Sequence, residues 1–144
     1  MADHSTRATA ALAQLTEIDP ALAALALWCR HRDDAGQTRT AGETILYGPD
    51  FERLDTPRQV GLAAHHVLHV ALRHAARADA LRVEAGVDPA LFALAADAIV
   101  NDTLRLADHP LPRPFVSLAD LLDRAGRPAA SARSALAEWD AETL

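Results

Sequence analysis

His65-His66-Val67-Leu68-His69-Val70-Ala71-Leu72-Arg73-His74 carries four of the seven histidines of the chain in ten residues. His65 and His69 are four apart. On a helix that spacing stacks both imidazoles on one face, one turn apart. It is the spacing of the HExxH helix, in which two histidines hold zinc and the intervening glutamate activates a water. Here the glutamate position is occupied by His66. The stretch therefore reads as a metal-binding helix without its usual general base.

The residues around it set that helix in a dry place. Asp55-Thr56-Pro57 is a start signal, with a capping side chain followed by proline in the first turn, and the helix is expected to run to about Ala80. From Val60 to Leu72 it is apolar on nearly every side, as a buried helix is. Polar groups placed there cost roughly 1–3 kcal/mol each if left without a partner. A metal is one partner that satisfies several histidines together.

Downstream, Asp88-Pro89 opens a second helix that is expected to run from about Pro89 to Ala107, with Asp97 and Asn101 four apart. His69 and Asp97 each lie nine or ten residues from the intervening loop, about 15 Å at the helical rise of ~1.5 Å per residue. In an antiparallel pair they meet at one depth, and Asp97 completes a two-histidine, one-carboxylate set. The alternative is a buried carboxylate held by Arg73 or Arg77. Asn101 falls one turn further on, as a second-shell or packing residue. Arg73 continues the His65–His69 stripe and pairs with a carboxylate or is solvated. His74 lies about 140° round the helix from His69 and is expected to be structural. His66 borders the metal face and has three readings: a third ligand, a general base titrating near neutrality, or the mark of a lost activity.

The rest of the chain reads as an α+β, mostly helical domain. Residues 6–16 are rich in helix formers, and Asp19-Pro20 is a break and restart. Residues 21–31 fit helix and strand alike. Asp33-Asp34-Ala35-Gly36-Gln37 is a turn, and residues 38–47 are β-prone, so 24–47 suggest a hairpin or small sheet. His109-Pro110-Leu111-Pro112-Arg113-Pro114 reads as a rigid strap. Ser117 opens a short helix that Gly126 closes, and 131–144 suggest a last helix with Leu136 and Trp139 on its inner side.

At 144 residues and half apolar, the chain is expected to be one soluble domain spanning 1–144. No apolar run reaches a membrane span, and the start lacks a signal-peptide pattern. A single cysteine, Cys29, points to the reducing cytoplasm. The net charge of −6, with all fourteen basic residues arginine, argues against a nucleic-acid partner.

The chain resembles a bacterial metallopeptidase-type family whose catalytic domain usually precedes a von Willebrand factor A-like domain. The resemblance rests on Thr40-Ala41-Gly42-Glu43-Thr44-Ile45-Leu46-Tyr47-Gly48-Pro49-Asp50-Phe51, on His65 through Arg77, and on Ala95-Ala96-Asp97-Ala98-Ile99-Val100-Asn101-Asp102. It implies a zincin-like fold with an antiparallel motif-helix pair, His65 and His69 as zinc ligands, Asp97 as the third, and a peptide or protein substrate. The family would continue past Leu144 toward its second domain, so the chain is expected to be either a stand-alone member or a piece of a longer one, and a von Willebrand factor A-like protein is among the partners the resemblance implies. Departure from the family at His66 implies weak or lost peptidase activity. Two further readings stay open: a non-haem Fe(II) redox site built on the same two histidines and carboxylate, and a non-catalytic interaction module with core histidines.

Overall fold

The structure is a computed structural model, and it describes residues 5–124, 126 and 135–136. The expected last helix, with Trp139, lies largely outside them. The chain forms two compact units, Met1–Ala75 and Ala76–Leu144.

The first unit begins with α1 (Thr9–Ile18) and α2 (Pro20–Ala26). Asp19 separates them, and its carboxylate accepts the backbone N–H of Leu22 at 3.2 Å, capping a helix whose first residue is a proline. The ambiguous 21–31 stretch resolves into both of its readings. It is helix to Ala26 and strand from Arg30, as β1 (Arg30–Asp33).

Two more strands, β2 (Arg39–Ala41) and β3 (Thr44–Tyr47), form a hairpin out of the β-prone 38–47 stretch. Gly42, at φ 63°, is the first of the two residues that turn it. A left-handed first position is what a two-residue II′ turn asks of glycine. The sheet order is β1-β3-β2, with β1 parallel and β2 antiparallel to β3, so β2 is an edge. The small sheet expected near the N-terminal third is present.

A close approach fixes the sheet's exit. A Cβ on Gly48 would lie 1.8 Å from the carbonyl oxygen of Gly36, so only glycine fits between the turn and α3 (Pro49–Glu52). Behind the sheet, buried His31 donates its Nε2–H to the Ala26 carbonyl at 2.9 Å. That sets the tautomer, and Nδ1 accepts the Tyr47 hydroxyl at 2.9 Å. Burial pushes the Tyr47 phenol far above its ordinary range. Cys29 is a buried free thiol, and burial followed by the charge of Glu43 pushes it up to about 11.

The motif helix, α4 (Thr56–Ala71), starts where the sequence says it should. Asp55 accepts the Arg58 N–H at 3.1 Å, with Pro57 in the first turn. Its inner face buries Val60, Ala63, Ala64 and Val67 against α1, α2 and the hairpin strands. Full burial of such side chains contributes about 1.5–3 kcal/mol apiece for the larger ones. The helix stops well short of Ala80. Leu72 caps it, Arg73 takes a left-handed conformation at φ 56°, and α5 (His74–Ala85) begins afresh.

The second unit holds most of α5, then α6 (Pro89–Leu106) and α7 (Leu118–Arg124). Asp88 caps α6 by accepting the Ala90 N–H at 2.9 Å. Ala98 packs with Leu118 and Leu122, while Phe92 and Ala96 pack with Ala78, Leu81 and Val87. Two neighbours on α6 fasten the segment that follows the strap. Asn101 donates from Nδ2 to the Val116 carbonyl at 2.8 Å, and the Asp102 carboxylate accepts the Leu118 N–H at 3.0 Å. Ser117 caps α7 through the Asp120 N–H at 3.1 Å.

Candidate metal centre

Four histidines gather at the C-terminal end of α4. His65 and His69 lie one turn apart, as their spacing requires, with their Nε2 atoms 3.0 Å apart. Both are half-buried, and His66 is buried. Two nitrogens bound to one tetrahedral zinc at ~2.0–2.1 Å stand about 3.3 Å from each other. The pair is therefore already at ligand spacing.

One ring nitrogen from each of these histidines and a carboxylate oxygen of Asp97 all lie within 4.8 Å of one another, on three half-buried residues. The depth argument for Asp97 assumed an unbroken helix to about Ala80. The helix ends at Ala71, yet the three expected ligands still form one group. Borderline nitrogen and hard oxygen donors in this number suit a divalent ion of the zinc or iron type. The residues present fit such an ion.

His66 lies to one side of that stripe. Its Nδ1 is 2.7 Å from the Thr40 hydroxyl on the edge strand β2, and its ring stands 5.0 Å from that of His65 and 6.1 Å from that of His69. Thr40 was not singled out by sequence reasoning, which has no signal for a contact across twenty-six positions.

His74 is the other residue missed. It is buried, at 5% exposure. Its Nδ1 lies 2.9 Å from the Nδ1 of His69, with the ring centroids 5.1 Å apart. The expectation that it faces away, about 140° from His69, held only for a continuous helix. The left-handed Arg73 turns the chain so that His74 comes back beside His69. The Arg73 side chain is exposed. Asn101 is buried and holds the backbone of Val116.

An α+β fold with paired helical histidines and a carboxylate within reach defines a metallopeptidase-type domain with a group able to take a metal. The family model described as "Putative metallopeptidase domain" matches residues 3–144, running through both compact units, and the chain belongs to that family. No curated protein and no solved structure matches it.

Proposed function

We propose that this is a zinc-binding, zincin-like protein of metallopeptidase type whose peptidase activity is weak or lost. His65, His69 and Asp97 are the proposed ligands. The observation that carries the reading is the grouping of their three donor atoms within 4.8 Å. A bound zinc supplies Lewis-acid polarisation of a peptide carbonyl and acidifies its water.

The chain's own contribution turns on His66. In the family motif a carboxylate stands at this place, with no proton to lose and a lone pair always ready. An imidazole is less versatile. If the Thr40 hydroxyl donates to Nδ1, the neutral ring carries its proton on Nε2 and serves as a donor. If Nδ1–H donates to Thr40, Nε2 keeps its lone pair and serves as a base. General-base use of His66 thus requires the tautomer with its proton on Nδ1, and the low-activity reading rests on the missing carboxylate. Arg73, exposed at the helix break, is the proposed outer partner for a carboxylate of a peptide or protein substrate. Asn101 holds the Val116 backbone.

The free thiol of Cys29 fits a reducing compartment, and the cytoplasm is the proposed location. Among the described residues no helix is long and apolar enough to cross a membrane. A von Willebrand factor A-like protein remains the proposed partner.

The test compares the parent with His66→Glu on a generic peptide, both loaded with zinc. Restoring the carboxylate is expected to raise hydrolysis by roughly 10²–10⁴-fold, the usual worth of a placed general base. No gain in a variant that holds zinc sinks the assignment of His66 to the glutamate's place.

A further inference from the structure

His69 touches a histidine at each ring nitrogen. Its Nε2 faces the Nε2 of His65 at 3.0 Å, and its Nδ1 faces the Nδ1 of His74 at 2.9 Å. Both contacts lie within the first compact unit. The second exists because the chain leaves the helical path at Arg73, where a bulky residue sits at φ 56°. A non-glycine residue held there is strained. What that turn delivers is a buried imidazole set against the ring of His69.

Proton bookkeeping gives the contact a direction. Two nitrogens at 2.9 Å share one proton, and a neutral imidazole carries one proton in all. In the metal-free chain two arrangements are self-consistent. In one, His65 donates to His69 and His69 donates to His74. In the other, the donors run the opposite way. A ligand nitrogen must offer a lone pair, so metal binding through Nε2 of His69 is compatible with the first direction alone on the His69–His74 side. There, His69 carries its proton on Nδ1 and gives it to His74.

We propose that His74 is a positioning residue for the metal. Its Nδ1 accepts the Nδ1–H of His69, which fixes the His69 tautomer and aims Nε2 at the ligand group. Ligating histidines commonly hand their second N–H to such an acceptor, and losing the acceptor typically lowers metal affinity 10–100-fold. The inference rests on the metal reading above and deepens it.

Zinc itself is the probe, with affinity measured by competition against a chromophoric chelator. The full chain is compared as parent, His74→Phe and His74→Asn, each checked for folding by circular dichroism without metal. The expected result is a 10–100-fold loss in His74→Phe. His74→Asn, whose amide oxygen can accept the same N–H, is expected to stay within about threefold of the parent. Long-range ¹H–¹⁵N spectra of the zinc-loaded parent, at one pH where the rings are neutral, are expected to show His69 protonated at Nδ1. Unchanged affinity in a folded His74→Phe overturns the proposal while leaving the metal site standing. If His74→Phe does not fold, the His69 spectrum decides, and a proton on Nε2 overturns it. A parent that binds no zinc overturns both readings at once.

Discussion

The Thr40 hydroxyl lies 2.7 Å from Nδ1 of His66, joining an edge strand to the one helical position where this chain departs from the HExxH pattern. An imidazole at the glutamate's place needs an orienting partner of its own, and the hairpin provides one. Thr40→Val keeps the shape and removes the hydroxyl. It is expected to lower stability by about 1 kcal/mol, with Thr40→Ser recovering most of the loss. Chemical denaturation of the three proteins checks this. Equal midpoints for parent and Thr40→Val would show that the contact contributes nothing.

Arg73 offers a sharper test of the backbone. At φ 56° glycine is at home and a β-branched residue is not. Arg73→Gly is expected to match the parent's stability or exceed it by up to about 1 kcal/mol, the relieved strain being offset by the freer unfolded chain. Arg73→Ile is expected to be less stable by about 1–2 kcal/mol. Thermal melts of both variants decide it. Equal losses in the two would mean that the position does not demand a left-handed residue.

Asp102 is 1% exposed, and burial raises its carboxyl above the ordinary value of 3.8, with the Leu118 N–H and the nearby Arg105 opposing the shift. One carboxylate oxygen accepts from Leu118, while the other lies 3.6 Å from the Arg105 guanidinium and has no hydrogen-bond partner among the described residues. A raised folded-state pKa means that the folded chain holds this proton more tightly than the unfolded one. Stability from this group is therefore gained as pH falls and lost as pH rises from about 4 through the folded value. Asp102→Asn keeps an acceptor for Leu118 and has nothing to titrate. The slope of unfolding free energy against pH above 4 is expected to become more positive than the parent's. An unchanged slope in that window would remove Asp102 as its source.

How far the sequence carried is seen best at the helix ends. Asp19, Asp55 and Asp88 each precede a proline in the first turn, and each caps a helix, because the signal is local and chemical. The two-histidine face followed from helical spacing alone. What failed was continuity. Leu72-Arg73-His74 contains no glycine, proline or asparagine, so nothing marks the left-handed residue that ends α4. The break is set by packing, and the position of His74 followed it out of reach. Thr40 was invisible for another reason, since strand-to-helix contacts depend on how the hairpin lies on α4. Gly48 hid its role in the same way. Its need for close approach to Gly36 was not legible.

The central claim is that the nitrogens of His65 and His69, with an oxygen of Asp97, share one ion. Elemental analysis of protein purified without added metal tests it most directly, with His69→Ala purified alongside and confirmed to be folded. The expected result is close to one zinc per parent chain and a small fraction of that in the variant. Iron in place of zinc would keep the ligands and change the chemistry to that of an Fe(II) site. A parent free of metal that also fails to take up zinc on addition, or a variant that retains as much as the parent, would contradict the account.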